Sequence, residues 1–260
     1  METFQGNQKV LSGFRKQFYE TGNFIRFMFR FFRELIRPPY ELRELLIQCY
    51  KTGYQSLPLV GTTAFIMGLV LTIQSRPSLV TFGAESLLPG MVSFSVVKEI
   101  GPVITALVCA GKISSRMGAE LGSMKVTEQI DAMEVSAINP YKFLVVSRVL
   151  ATTLMVPVLV IFADAISLFA SFLAANIHGE ISLTRFFSAA MSRFDFVDVI
   201  PAIIKTFFFG FAIGMIGCYK GFNALNGTAS VGLAANSAVV AASLAIFVLD
   251  MLTVQITDLL

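Results

Sequence analysis

The sequence predicts an all-α integral membrane protein with five transmembrane helices. Of its 260 residues, 55% are hydrophobic and only 14% are charged, whereas a soluble domain carries roughly 25% charged residues. The apolar residues form five runs that are long enough to cross about 30 Å of hydrocarbon at about 1.5 Å per helical residue. Polar segments with glycine, proline or charged residues separate these runs, as expected for membrane spans joined by loops.

An amphipathic helix is predicted over residues 9–37, before the first span. Its arginines recur at spacings of four, three and four and form one basic stripe, and a phenylalanine-rich side lies elsewhere on the helix. Such a helix suits the membrane interface, where apolar burial and anionic lipid hold it. A soluble helix packed on another subunit would show the same pattern. The basic stripe consists of Arg26, Arg30, Arg33 and Arg37.

The apolar runs set the predicted bounds of the spans. The third run is the longest, and we expect Pro157 to kink it. Residues 74–90 also allow a second arrangement, in which this part of the chain re-enters the membrane without fully crossing it. The five predicted spans are 56–73, 87–110, 143–175, 199–219 and 231–256.

The distribution of Lys and Arg predicts the orientation in the membrane. With the N-terminus in the cytoplasm, the cytoplasmic segments 1–55, 111–142 and 219–230 hold fourteen of the twenty basic residues. The segments on the other side hold only three. Five spans then place the C-terminus on the outer, periplasmic side.

Five ionisable residues fall well inside the predicted spans. Each lies roughly 7–12 residues from the outer end of its span, which corresponds to a depth of about 10–18 Å. Charges at this depth are costly and usually mark a pathway or a paired structural network. They therefore line a polar band in a cavity, or they form ion pairs that fix helix register. The five are Lys98, Glu99, Asp164, Lys205 and Asp250.

The segment 116–137, between spans two and three, is predicted to form a short amphipathic helix on the cytoplasmic side. Val126, Ile130, Met133 and Ala137 give one apolar face, and acidic residues cluster on another. A tethered helix of this kind can dock into a cleft of a cytoplasmic partner, or it can be an ordinary solvated loop helix. The acidic residues are Glu120, Glu128, Asp131 and Glu134.

Small residues in spans four and five predict close helix packing. Gly210 and Gly214 form a GxxxG pair, and Ala234, Ala238, Ala242 and Ala245 form a stripe. The pattern leaves open whether these surfaces pack within one subunit or between two copies.

No catalytic, metal or cofactor site is expected in this chain. A GxxxxGK[ST] phosphate loop is absent, and the single histidine cannot complete a Ser/His/Asp set. The three cysteines follow no metal-ligand spacing and are predicted to be small apolar residues. If ATP drives transport, the ATPase must therefore be a separate chain.

Four stretches give the chain a family resemblance. They are Lys98-Glu99-Ile100-Gly101-Pro102, Ala110-Gly111-Lys112, AELGSMKVTEQIDAME at 119–134, and Asn139-Pro140. This signature closely resembles the MlaE/YrbE permease family, and the similarity extends over nearly the whole chain, so that residues 1–260 form a single permease domain.

The resemblance implies the permease subunit of an ABC transporter that moves phospholipid or a related lipid between the inner and outer membranes of a Gram-negative bacterium. It further implies a homodimer in the inner membrane, an MCE-domain protein on the periplasmic face and, in some systems, a STAS-domain protein. Two cytoplasmic ATPases would bind ATP and dock on the 116–137 helix. The coupling residues would be Glu120, Lys125, Glu128, Asp131 and Glu134.

The resemblance also bears on the buried charges. Glu99 matches the family's glutamate before Gly-Pro, and Lys98 stands where arginine is frequent. Lys205 and Asp250 lie in spans where relatives also carry charge. Two rival hypotheses are an ion-coupled secondary transporter that uses Glu99, Asp164 and Asp250 as proton carriers, and a scaffold without a translocation path.

Overall fold

The computed structural model describes residues 20–38, 41–177, 182–192, 196–225 and 227–259. These ranges are helical and contain no strand, and five of their helices are long and apolar enough to cross a membrane. The prediction of an all-α protein with five spans is thus confirmed. The spans are Leu42–Thr81, Glu85–Val126, Tyr141–Asn176, Val199–Phe222 and Thr228–Thr257.

The individual helices are shorter than the spans, because one-turn irregularities interrupt the first three spans. We number the helices as α1 (20–36), α2 (Leu42–Thr52), α3 (Leu57–Thr81), α4 (Leu88–Ser95), α5 (Gly101–Cys109), α6 (Ser115–Val126), α7 (Gln129–Val135), α8 (Ser147–Asn176), α9 (Leu183–Met191), α10 (Phe196–Phe222) and α11 (Thr228–Asp258). A 3-10 turn joins α2 to α3, and π-helical turns join α4 to α5, join α5 to α6, and precede α8.

The N-terminal helix α1 packs on Tyr141 and Tyr219 of the same chain. Phe27 and Phe31 are buried, and the Phe27 ring lies 4.9 Å from Tyr141 and 5.3 Å from Tyr219. The Tyr141 hydroxyl donates a hydrogen bond to the Phe27 carbonyl. The basic side remains exposed, as expected for a helix at a membrane surface. Residues 9–19 of the predicted 9–37 helix lie outside the described residues.

The second span differs most from its prediction. Its helix does not stop near residue 110 but continues through a π turn into α6 and ends at Val126. Glu128 then adopts the left-handed backbone conformation, with φ of 58°, and α7 begins after it. The single helix predicted over 116–137 is therefore wrong, since a residue with positive φ cannot continue a right-handed helix. No glycine or proline marks this break in the sequence.

The first span is also longer than predicted. Helix α3 continues through Pro77 to Thr81, and the chain turns at Gly83, whose φ of +65° favours glycine. Arg76 donates to Glu85 at 2.6 Å across this turn. The turn is followed directly by α4, so residues 74–90 close one span and open the next.

Helix α8 lies at the centre of the bundle, between α3 and α10. Small residues let the three backbones approach closely. A Cβ atom on Gly68 would lie 2.2 Å from the Ser167 carbonyl oxygen, and one on Gly210 would lie 2.5 Å from the Thr152 carbonyl oxygen. The GxxxG pair thus packs within the subunit, on α8.

The alanine stripe of α11 also packs within the subunit. Ala234, Ala238 and Ala242 are buried, and a Cβ atom on Gly118 of α6 would lie 3.1 Å from the Ala234 carbonyl oxygen. Both small-residue surfaces therefore serve packing between spans of one chain.

We expect Gly210→Val to lower the free energy of unfolding by about 1–3 kcal/mol, because the new side chain overlaps the α8 backbone. Gly232→Ala on α11 is the matched control, since no atom lies within 4 Å of its Cβ position. The control should unfold at or slightly above the wild-type temperature. Thermal unfolding in detergent measures both; equal midpoints for the two variants would contradict the packing described.

Candidate functional site

A buried lysine joins two carboxylates from other spans. Lys205 lies on α10, and its Nζ atom donates to Glu99 Oε2 at 2.6 Å and to Asp250 Oδ1 at 3.0 Å. The Lys205 side chain is only 4% exposed, whereas that of Glu99 is 41% exposed. Burying one cation between two anions offsets part of the cost of removing each from water. Three of the five predicted band residues therefore form one network.

The backbone around Glu99 is irregular. Residues Val96–Ile100 form a π-helical turn, and Gly101-Pro102 begin α5. Pro102 has no N–H group to donate into the preceding turn, which favours a local change in the helical hydrogen-bond pattern. Such π turns are frequent at functional sites. Here the turn forms the part of the signature that presents Lys98 and Glu99.

Lys98, the fourth member, lies on the same side. Its Nζ atom lies 5.0 Å from the centre of the Phe94 ring, within range of a cation–π interaction. Lys98, Glu99 and Lys205 all line one cavity.

This cavity, which we call the polar cavity, has a volume of about 500 Å³. Its walls come from spans two, four and five and combine charged groups with apolar side chains such as Phe94, Ile100 and Val254. Ligand pockets in proteins commonly enclose about 300–1,000 Å³ and combine apolar walls with a few polar groups. The arrangement can therefore bind an amphipathic molecule.

Thr253 and Thr257 are two of the polar-cavity residues that sequence analysis did not identify. Both lie on the Asp250 face of α11, three and seven residues further along the helix. That spacing is a signal that could have found them. Their hydroxyl groups donate to the carbonyls of Asp250 and Thr253 at 2.8 and 2.7 Å and can still accept a hydrogen bond from a ligand.

Asp164 is not part of this network. It lies on α8, and a Cβ atom on Gly101 would lie 2.1 Å from its Oδ1 atom. It lines a second cavity of about 320 Å³ between α8, α10 and residues 97–102. The sequence placed all five charges at a similar depth, but depth alone does not say which way a side chain points around its helix.

Glu120 lies on α6 and is not part of α7. Its carboxylate accepts from Arg148 at 3.3 Å and lies 3.4 Å from Arg116 Nε. Arg116 also donates to the Lys51 carbonyl and to Gln55 at 3.0 and 3.2 Å. Glu120 and Arg116 thus tie the first three spans together, and sequence analysis did not predict the contacts of Glu120 with Arg116 and Arg148.

The other predicted coupling residues surround the break before α7. Lys125 pairs with Asp131 at 2.9 Å, while Glu128, Asp131 and Glu134 are exposed. Ile130 is buried in the main core and anchors α7 to the bundle. The result is a short acidic helix that is fixed on one side and open on the other.

The segment after α7 is fastened to α1. Asn139 donates to Glu34 at 3.0 Å, and Lys142 donates to the Arg37 carbonyl. The Asn139 side chain also accepts from the Tyr141 and Lys142 amides at 3.1 and 3.3 Å, which caps the turn before α8. These bonds join the segment after α7 to both α1 and the start of α8.

We expect Lys205→Met to destabilise the protein, because Glu99 and Asp250 then face each other without a cation. The loss should exceed about 1 kcal/mol but stay below the 3–5 kcal/mol of a fully buried pair, since water screens Glu99. The triple variant Lys205→Met, Glu99→Gln, Asp250→Asn carries no unpaired charge and should recover most of the stability. Thermal unfolding in detergent measures both; a triple variant less stable than the single one would refute this account of the network.

Comparison with known proteins identifies relatives over most of the chain. The family model described as Permease MlaE matches residues 45–256. A probable ABC transporter permease protein of Rickettsia typhi is 35% identical over 239 residues, which cover 92% of this chain and 91% of the relative. One from Synechocystis is 33% identical and covers 84% and 82% of the two chains.

A plant protein is also similar. The chloroplast protein named trigalactosyldiacylglycerol 1, from Arabidopsis thaliana, is 32% identical over 208 residues. These residues cover 80% of this chain and 59% of the plant protein.

Proposed function

Since this chain belongs to the family of MlaE permeases, we propose that it is the membrane subunit of an ABC transporter that moves phospholipid or a related lipid between the inner and outer membranes. The relatives from Rickettsia typhi and Synechocystis are named as probable ABC transporter permeases. A separate ATPase supplies the energy, and this chain binds the lipid.

The observation that carries the proposal is the polar cavity. Lys98, Lys205 and Glu99 line it, and Asp250 pairs with Lys205. This combination of positive and negative charge suits a headgroup with a phosphate and an amine. The apolar walls suit the first part of the acyl chains. The plant relative is named after a galactolipid, which favours a lipid over an ion as the cargo.

Two copies of this chain enclose the complete lipid chamber in the proposed transporter. The surface of α11 that points away from its own bundle is apolar, with Leu244, Phe247 and Met251 more than half exposed. Span five carries this surface and also lines the polar cavity through Thr253, Val254 and Thr257. A homodimer that joins two such cavities takes a larger amphipathic molecule than one copy can hold.

Force from the ATPases enters at α7 and travels along one helix. From Val126 back to Glu99 the second span is continuous apart from π turns, a length of about 40 Å at 1.5 Å per residue. A push on α7 therefore displaces the π turn that carries Glu99. Besides the ATPases, the proposed partners are a periplasmic MCE-domain protein and a STAS-domain protein. The permease itself lies in the inner membrane, with its N-terminus in the cytoplasm and its C-terminus in the periplasm.

Removing the charge of the polar cavity should stop transport. We expect Glu99→Gln and Asp250→Asn to reduce ATP-dependent transfer of a fluorescent phospholipid from proteoliposomes by at least about tenfold, a loss of about 1.4 kcal/mol in binding. Glu41→Gln, an exposed carboxylate before α2, is the control and should transfer lipid normally. Normal transfer by both cavity variants at normal expression would leave the charges with a structural role only. Transfer driven by a proton gradient without ATP would support a secondary transporter instead.

The exposed acidic face of α7 should be required for ATPase binding. The triple variant Glu128→Gln, Asp131→Asn, Glu134→Gln removes three exposed carboxylates and should lose co-purification of the ATPase while the permease still folds. Glu41→Gln serves again as the control, because it removes a carboxylate from the same predicted side of the membrane. Retained co-purification by the triple variant would exclude α7 as the acidic docking helix.

A further inference from the structure

The second cavity has a composition that the polar cavity does not share. It encloses about 320 Å³, and its wall comes from α8, α10 and residues 97–102. Nearly all of the lining is apolar, including Pro102, Pro157 and Leu168. Among the described residues, the polar side chains in the lining are Asp164 and Thr206, and no Lys, Arg or His lines it. We call it the Asp164 cavity.

Both polar groups in this cavity are ready to accept a hydrogen bond. The Asp164 Oδ1 atom is buried and has no hydrogen-bond partner among the described residues. The Thr206 hydroxyl already donates to the Ile203 carbonyl at 2.6 Å, so its lone pairs remain available. A buried acceptor without a donor is costly, and a ligand that supplies the donor removes that cost.

The lining excludes several classes of ligand. A phosphate group would meet the Asp164 carboxyl group, and no cation among the described residues lines the cavity to balance its charge. A metal ion needs several ligands, and the described residues contain no group of three His, Cys, Asp or Glu side chains that could hold one. Water alone needs two to four polar partners at each position, and most of this wall has none to give.

Two apolar side chains that line the cavity also reach the surface of the bundle. At its edge Ile161 of α8 is 55% exposed and Ile203 of α10 is 37% exposed. Both belong to candidate spans, so an apolar tail leaving the cavity here remains in the hydrocarbon. The occupant must therefore combine one hydrogen-bond donor, no negative charge and a long apolar tail.

We propose that the Asp164 cavity binds a neutral lipid with a free hydroxyl group, such as a diacylglycerol, with that hydroxyl donated to Asp164. The site is separate from the polar cavity but adjoins it. Asp164 lies over Gly101 of the signature, and Ala202 lines both cavities. On α10, Lys205 lines the polar cavity and the next residue, Thr206, lines the Asp164 cavity.

A photoreactive diacylglycerol tests the site on the full-length protein in phosphatidylcholine nanodiscs. The probe carries a diazirine near the start of one acyl chain, and its control is the same molecule with the hydroxyl acetylated. Mass spectrometry of the labelled peptides should show at least about tenfold more labelling of residues 157–168 and 199–206 by the free alcohol than by the ester. Equal labelling by the two molecules overturns the proposal.

Two substitutions identify the acceptor. Asp164→Asn keeps a carbonyl oxygen and should retain most of the preference for the alcohol, whereas Asp164→Leu should abolish it. Preference retained by Asp164→Leu, or labelling confined to residues 94–100 and 253–257, also overturns the proposal. If Asp164→Leu does not fold, the comparison of alcohol and ester on the wild-type protein still decides. The assay uses no ATP and no ATPase, so its failure does not bear on the proposed transport.

Discussion

The polar cavity depends on the ion pairs that the ammonium group of Lys205 forms. This group neutralises carboxylates from two other spans at distances of 2.6 and 3.0 Å. Without it, spans two and five would each bring an unpaired anion beside the buried end of Lys205, with only Glu99 partly screened by water. With it, three spans share one register, and the exposed part of Glu99 still faces the cavity. The same network therefore stabilises the bundle and leaves charge available to a ligand.

Close backbone packing is the second constraint. Gly68 and Gly210 bring α3 and α10 against α8, because a side chain at either position would overlap a carbonyl oxygen. Gly101 has a related role beside Asp164, where the absence of a Cβ atom leaves space for the carboxyl group. These glycines explain how a bundle with few charged residues places the charged groups of two cavities so near each other.

The part of the molecule around α7 is held together by contacts with several distant segments. Helix α7 is held by Ile130 in the core, and the turn that follows it is bonded to α1. On its other side α6 runs without a loop into the segment that carries Glu99. The salt bridges of Glu120 with Arg116 and Arg148 join this helix to its neighbours. These contacts connect the region around α7 to α1 and to the first three spans.

The sequence by itself determined the membrane class, the five spans, the family and the residues that carry charge, because apolar length and the cost of buried charge leave a strong local pattern. Only the tertiary structure decided which charges meet. Lys205 joins Glu99 and Asp250, while Asp164 points to another cavity and Glu120 turns inward to Arg148. The break at Glu128 also escaped prediction, since it depends on a backbone angle that no glycine or proline marks. The direction of a side chain around its helix and the partner opposite it are set by packing between distant segments, and a linear pattern does not contain them.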